Sequence, residues 1–275
     1  MSVVKNSVEV QFSPGEKIMI DGNDFMCKFI RAKNENILVL GGRINVSVRS
    51  LNGCLTSMLP QLDPDQVRID TVNLLDLSQA DLCDEIEKSS NYIGQRFPKS
   101  TYMELGGDVN LLLDNVLEDI VVRAADLKTG KYVPPRFLVM YRTENEKGFE
   151  EIKTEINGTV ISSEKSEMTK KLVQILELGP EVGVHSLIHF TDPASYFKVL
   201  DAAKKDRHYF NHRLLLQMNE ESSLHFLDSY SRKDASELVD KNTDDEFAYN
   251  IALYYNAYDL IDPVRIKPYE FHINE

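Results

Sequence analysis

Four apolar residues, Ile37 to Leu40, run without a polar break and stop at Gly41-Gly42. Behind them Val48, Leu51, Leu55 and Met58 recur at steps of three and four. That spacing predicts one apolar face of a helix over 45–58, which Pro60 helps to end. A strand that ends in glycines and feeds a helix is the opening of a phosphate-binding α/β unit, because the helix N-terminus collects N–H groups with no partner of their own.

The pattern then repeats. Residues 67–77 read as a strand centred on Val72, Leu74 and Leu75; Leu82, Ile86 and Ile93 mark a helix, and 101–105 is a short strand. Asp108 is placed to cap a helix in which Val109, Leu112, Leu113, Val116, Leu117, Ile120 and Val121 keep a helical period. Pro134-Pro135 stops it, and Phe137 to Met140 is a continuous apolar run of the kind buried on both faces of a parallel sheet. Residues 143–168 are polar and acidic without a period, and read as an excursion loop. Beyond them a helix around Leu172, Ile175 and Leu176 ends at Gly179-Pro180. A strand over 184–190, a helix over 194–203, a strand over 213–218 and a short helix over 220–228 follow. Residues 229–246 read as a charged surface loop, and 251–255 with 263–268 as a hairpin. At the other end Val8 and Val10 alternate with polar residues, Pro14-Gly15 predicts a turn, Asp21-Gly22-Asn23 a second, and 25–30 a strand. These residues suggest a hairpin flap. Strands alternating with helices imply a mainly parallel sheet covered on both faces.

Charge narrows the function classes. The 275 residues hold 44 acidic and 31 basic side chains, a net charge of −13. A free-standing nucleic-acid binder carries a basic footprint, so contact with DNA would come from a local patch or from other parts of an assembly. Cys27, Cys54 and Cys83 sit in apolar-looking positions with no C-x-x-C pair, the pattern of a reduced, intracellular protein. No apolar run approaches the roughly 18 residues of a membrane span, and the N-terminus lacks a signal-peptide core. The expectation is a cytoplasmic chain without membrane contact. It starts in a strand-like segment, as a piece of a longer protein would.

The glycine turn lacks its expected chemistry. Begun at Gly41, the phosphate-loop signature G-x-x-x-x-G-K-[ST] requires Gly at 46, Lys at 47 and Ser or Thr at 48. The chain has Val46, Ser47 and Val48.

Several segments carry a family resemblance in order. Leu176-Glu177-Leu178-Gly179-Pro180-Glu181-Val182-Gly183-Val184-His185-Ser186-Leu187-Ile188 reads as a helix, a glycine turn, a "G-[IV]-H" step and an apolar strand. Phe210-Asn211-His212-Arg213-Leu214-Leu215-Leu216-Gln217-Met218 follows, with Ser222 and Leu227-Asp228 beyond. Together they resemble the RecA-like motor domain of the FtsK/SpoIIIE/HerA group of DNA translocases, and most of all the non-catalytic C-terminal modules of its large members. Residues 36–40 fall at that family's phosphate-loop strand, and Arg136 to Tyr141 at its metal-binding acidic strand. The resemblance implies a RecA-like P-loop NTPase three-layer α/β fold, with a mainly parallel central sheet and small β-hairpins at both ends. It implies a single domain over 1–275, with a hairpin extension over 1–35, a core over 36–228, and an acidic loop with a C-terminal hairpin over 229–275.

It also places the departures. The family's loop needs Gly for close backbone approach, Lys for the phosphates and Ser or Thr for Mg²⁺. Gly41, Gly42, Arg43 and Ser47 are what remains, either a weak anion site or a tight strand-to-helix turn. The family's Asp-Glu, which holds the Mg²⁺ shell and orients water, appears as Tyr141-Arg142, with Glu144 two residues on. Its "T-Q" is Phe190-Thr191. The expectation is therefore no catalytic residue, no metal and no cofactor. The module would serve a structural, regulatory or partner-docking role in a larger translocase, with other modules or proteins as partners and DNA only indirectly. Two alternatives stay open: an active translocase using ATP and Mg²⁺ through Arg43 or Arg49 with Glu144, and a degenerate type VII-like secretion ATPase module that docks a protein substrate. Arg213 is either an inter-subunit contact in an oligomer or part of a structural ion pair.

Other constellations are weaker. His185 and His189, four apart on a strand, lie about 13 Å apart and cannot share a metal ion. His208 and His212 have helical spacing in an extended context, and Asp244-Asp245-Glu246 lacks the glycine and alternation of a calcium loop.

Overall fold

The structure, a computed structural model, describes residues 9–18, 24–156, 159–200, 209–227, 232–238, 251–258 and 262–268. The chain opens with β1 (Val10–Lys17) and β2 (Asp24–Phe29), then β3 (Ile37–Leu40) and α1 (Ile44–Met58). Next come β4 (Arg68–Asn73), α2 (Ala80–Arg96), β5 (Thr101–Glu104), α3 (Val109–Lys128) and β6 (Arg136–Tyr141). A hairpin of β7 (Ile152–Ile156) and β8 (Thr159–Glu164) precedes α4 (Glu167–Leu178), β9 (Val184–Phe190) and α5 (Pro193–Leu200). The last elements are β10 (His212–Leu215), α6 (Glu220–Ser223), α7 (Arg232–Ser236), β11 (Ala252–Asn256) and β12 (Val264–Lys267).

Ten of these strands form one sheet in the order β2-β1-β12-β11-β10-β3-β9-β6-β4-β5. From β10 to β5 every pairing is parallel. From β2 to β10 every pairing is antiparallel, so the sheet has a parallel half and an antiparallel wing. Alternation along each buried strand divides its side chains between two cores. Leu38, Leu40, Leu138 and Met140 pack with residues of α3, α4 and α5. Ile37, Val39, Phe137, Val139, Tyr141 and Leu187 pack with α1 and α2 on the opposite face. The result is the mainly parallel sheet covered on both faces that the strand and helix pattern predicts, in the three layers that the resemblance implies.

Local chemistry sets the element ends. Asp108 caps α3 as expected, accepting from the Leu111 N–H at 2.9 Å. Ser166 does the same for α4 through the Thr169 N–H at 3.0 Å. At the amino ends of the parallel strands, buried Arg136 on β6 pairs with buried Asp70 on β4 at 2.7 Å and with Asp119 on α3 at 3.0 Å. That network fastens two strands and a helix together.

Several expectations need correction. Residues 143–168 are not an unstructured loop: they hold the β7–β8 hairpin, and Phe149 is buried in the core. Their polar composition hid a two-stranded ribbon that lies outside the main sheet. Pro14-Gly15 is not a turn but lies within β1, where the pairing with β2 slips register between Phe12 and Gly15. A Cβ at Gly15 would strike the Lys267 carbonyl, so only glycine passes β12 there. The turn expected at 21–23 lies outside the described residues. The N-terminal hairpin is not a flap, because β1 pairs with β12 and extends the central sheet, while β11 and β12 pair antiparallel as the expected hairpin. Within the expected loop over 229–246, α7 brings Ala235 and nearby Leu238 into the core, while 239–250, including the acidic cluster, lie outside the described residues. The short helix expected over 220–228 stops at Ser223, and the described part of the helix expected over 194–203 stops at Leu200. Val121 is 69% exposed, since only one face of the long α3 meets the sheet. Among the described residues no helix is long and apolar enough to cross a membrane.

Candidate functional site

The helix following β3 covers one face of the sheet, and the helix following β9 covers the other. β3 and β9 are neighbours, so their carboxyl ends form the switch-point crevice at which open α/β sheets bind ligands. The turn at its base is short: only Gly41, Gly42 and Arg43 separate the end of β3 from the start of α1. Gly41 and Gly42 both take positive φ, at 88° and 71°. The Gly42 N–H donates to the Gln217 carbonyl at 3.1 Å, and a Cβ at Gly42 would sit 2.5 Å from Leu216 Cβ. The segment after β10 therefore packs onto the turn where a phosphate loop would bulge outward. Arg43 takes the N-cap position of α1 without a side-chain cap.

Ser47 lies in the first turns of α1 and is wholly buried. Its hydroxyl donates to the Ile44 carbonyl at 3.1 Å and meets His189 Nε2 at 2.9 Å. The other ring nitrogen, Nδ1, accepts the Arg142 backbone N–H at 3.1 Å. Nδ1 is thus unprotonated, so Nε2 carries the hydrogen and donates to Ser47 Oγ. Burial, then the Arg142 charge, pushes the His189 pKa down to about 3, keeping the ring neutral. A neutral chain of Arg142 N–H, His189 and Ser47 therefore fills the crevice from β6 to α1.

The positions of the acidic strand are filled likewise. Tyr141 is buried, and its hydroxyl donates to Asn52 Oδ1 at 3.3 Å, which also accepts from Ser89 Oγ at 3.0 Å. Burial pushes the Tyr141 phenol pKa up, so it stays neutral. Arg142 has a left-handed backbone, with φ of 55°. Its Nη1 reaches Asp76 at 2.7 Å and Gln79 at 2.5 Å, just before α2. Glu144 bends back to the end of β9, accepting the Thr191 N–H at 3.2 Å and the Thr191 hydroxyl. Arg142 Nε, Thr143 Oγ1 and Glu144 Oε2 are buried without a hydrogen-bond partner among the described residues, so polar capacity is left over in this loop. Arg49 forms a two-pronged pair with Glu85, at 2.9 and 2.6 Å. Arg213 lies at the start of β10, within the sheet. It is buried, and donates to the carbonyls of Phe210 at 3.1 Å and Phe226 at 2.6 Å. Among the described residues no group of three or more His, Cys, Asp or Glu side chains could hold a metal ion.

Solved structures share this fold across nearly the whole chain. ATPases 2 and 3 of EssC from Geobacillus thermodenitrificans match at 10% identity and a TM-score of 0.58, covering 100% of this chain and 47% of that one. ATPases 2 and 3 of Thermomonospora curvata EccC, in complex with a signal sequence peptide, match at 12% identity and 0.58, covering 99% and 44%. The pCW3 conjugation coupling protein TcpA, a monomer form with ATPγS, matches at 14% identity and 0.56, covering 98% and 68%. The chain has the fold of the FtsK/HerA-type P-loop ATPase modules. At these identities the likeness is one of fold, and the chain spans less than half the length of the EssC and EccC structures. No protein-family model matches the chain, and no curated relative does.

At the carboxyl ends of the parallel strands Arg142, His189 and Ser47 bond to one another, as do Tyr141, Asn52 and Ser89. The sequence reads His189 as a core or hydrogen-bonded histidine rather than a metal ligand, and the structure shows it buried with a hydrogen bond at each ring nitrogen; Asn52 is not singled out. Asn52 did leave a signal: it is a polar residue on the apolar face of α1, flanked by Leu51 and Leu55.

Proposed function

We propose that this module is a catalytically degenerate FtsK/SpoIIIE-like ATPase domain that serves a structural, regulatory or partner-docking role in a larger translocase assembly. The observation that carries the reading is the Arg142–His189–Ser47 chain across the crevice, above a turn of three residues. A phosphate cradle needs free N–H groups and a lysine, and the Mg²⁺ shell needs a hydroxyl and a carboxylate. Here the Gly42 N–H is spent, Ser47 faces inward, and Tyr141 offers a neutral phenol to Asn52. The alternative of a divergent motor is weakened, because Arg49 is bound to Glu85 and one oxygen of Glu144 to Thr191, which leaves Arg43 at the N-cap of α1 as its stand-in cation. DNA contact belongs to other parts of the assembly, in keeping with the net charge of −13.

Titration calorimetry of the full chain with ATP and Mg²⁺ is expected to show no binding tighter than millimolar. Micromolar affinity, or hydrolysis above background, would overturn the reading.

A further inference from the structure

The last turns of α2 leave an open space against the sheet, near the start of β5. A cavity of about 420 Å³ lies there, and none of its lining residues belongs to the crevice. That volume is within the range of small-molecule sites. Its origin can be read in the helix. Leu82, Ile86 and Ile93 pack α2 onto the sheet, but Ser90 and Gly94, four apart and so on one face, line the cavity instead of filling it. Gly94 takes no positive φ, and a Cβ there would meet nothing within 4 Å among the described residues. Neither a turn nor a close approach calls for glycine at that place, and glycine inside a helix is destabilising relative to alanine. Its effect is to keep the space open.

The two walls carry the same chemistry. From the sheet side come Ser100 and Thr71, which stands opposite Tyr102 in the register of β4 with β5; from the helix come Ser90, Asn91 and Gln95. All six present a hydroxyl or a carboxamide, and none of the described lining residues carries a charge. Tyr102 stays neutral, because burial pushes its phenol up to about 12. Thr71 and Ser90 are only 2% and 6% exposed, and they line the cavity with what surface they keep. The Ser100 hydroxyl accepts the Ile69 N–H at 3.0 Å, and the Tyr102 hydroxyl accepts from Asn73 Nδ2 at 3.2 Å, contacts that fix the sheet wall. A hydroxyl that accepts one bond still has its hydrogen to give, and a carboxamide both donates and accepts. An ion would find no opposite charge here, and an apolar molecule would strip water from these groups without replacing its hydrogen bonds. A planar base carries its polar atoms only along its edges. A molecule with hydroxyls around its whole rim meets the sheet wall and the helix wall at once.

We propose that the space between α2 and β5 is a binding site for a neutral polyhydroxylated small molecule, a sugar or a cyclic polyol, held between Thr71 and Ser100 on one side and Ser90, Asn91 and Gln95 on the other. The inference is independent of the nucleotide crevice: it stands or falls whether or not the module binds ATP.

The test is saturation-transfer NMR on the full chain with glucose, galactose, N-acetylglucosamine and myo-inositol, followed by titration of whichever probe responds. At least one is expected to bind with a dissociation constant of about 1 mM or tighter. The three sugars against the inositol separate a pyranose ring from a carbocyclic polyol. Gly94→Leu puts a side chain into the open space and should weaken binding at least about tenfold without lowering the melting temperature, since leucine is the better helix former. Thr71→Val, which exchanges one cavity hydroxyl for a methyl group, is expected to weaken it about fivefold. Silence from all the probes, or binding that neither Gly94→Leu nor Thr71→Val weakens, would overturn the proposal, and either variant decides alone if the other unfolds. Adenosine binding where no polyol binds would overturn it as well, and would assign the space to a planar base.

Discussion

His189 lies at the carboxyl ends of the parallel strands and His212 in the antiparallel wing; both are shut from solvent, and their partners differ. His189 meets a hydroxyl and a backbone N–H, with no carboxylate, and its surroundings hold it neutral. His212 meets Glu35, a buried carboxylate whose pKa burial pushes up and the His212, Asn211 and Ile30 contacts together bring below the ordinary value. Around His189 the crevice is thus bridged by neutral groups that satisfy one another. The wing keeps a buried charge. Buried charge is costly to leave unpaired, and Glu35 is engaged by His212, Asn211 and the Ile30 N–H, so the wing depends on a carboxylate where the His189 site does not.

Glu35→Ala breaks the contrast most severely. It strips the acceptor from His212, Asn211 and the Ile30 N–H, and removing one member of a buried pair costs about 3–5 kcal/mol. Urea unfolding should register that loss; a change below about 1 kcal/mol would mean that the wing does not depend on its charge.

Acid probes the closed half. His189 titrates near 3 and His185 near 4 in the folded chain, both lowered mainly by burial from the ordinary 6.5. Below that ordinary value the unfolded chain binds more protons, so stability is full above it and falls as the pH drops toward the folded values. Each ring removes about 2 kcal/mol between roughly pH 7 and pH 5. His189→Gln should cut that pH-dependent loss by about half, and an unchanged slope would show that the crevice histidine is not held neutral.

Tyr141→Phe makes a smaller change. It deletes one hydrogen bond to Asn52, whose oxygen keeps Ser89, for a loss of about 1 kcal/mol in thermal unfolding. Arg49→Ala should be the mildest. Its pair with Glu85 is partly exposed and contributes up to about 1 kcal/mol, and nucleotide binding should not change. Loss of an ATPase activity in this variant would restore the reading of a divergent motor.

Much of the fold was legible because burial writes a period into the chain. β3 with α1, the long α3, the apolar run of β6 and the strand at β9 all follow from apolar spacing and from the residues that cap or stop them. The β7–β8 ribbon was not, since a two-stranded hairpin outside the main sheet needs little apolar alternation. Nor was the pairing of β1 with β12, because a contact between segments so far apart leaves no local mark. The candidate site divides the same way. Val46, Ser47, Val48, Tyr141 and Arg142 reveal what is missing from the crevice. What fills it depends on register: only with Met140 opposite Ile188 does the Arg142 N–H come to His189.

The β1–β12 pairing has a consequence for how the molecule is made. During synthesis β1 and β2 emerge first, yet the strand that pairs with β1 on its other side is the last of the sheet to emerge. Until then both edges of the nascent hairpin are open, and the sheet can close only by a contact of very long sequence separation, which slows folding and exposes strand edges to mispairing. Refolding from denaturant should therefore be slow and prone to aggregation, and a chain released before β12 has emerged lacks the strand that joins the hairpin to the rest of the sheet.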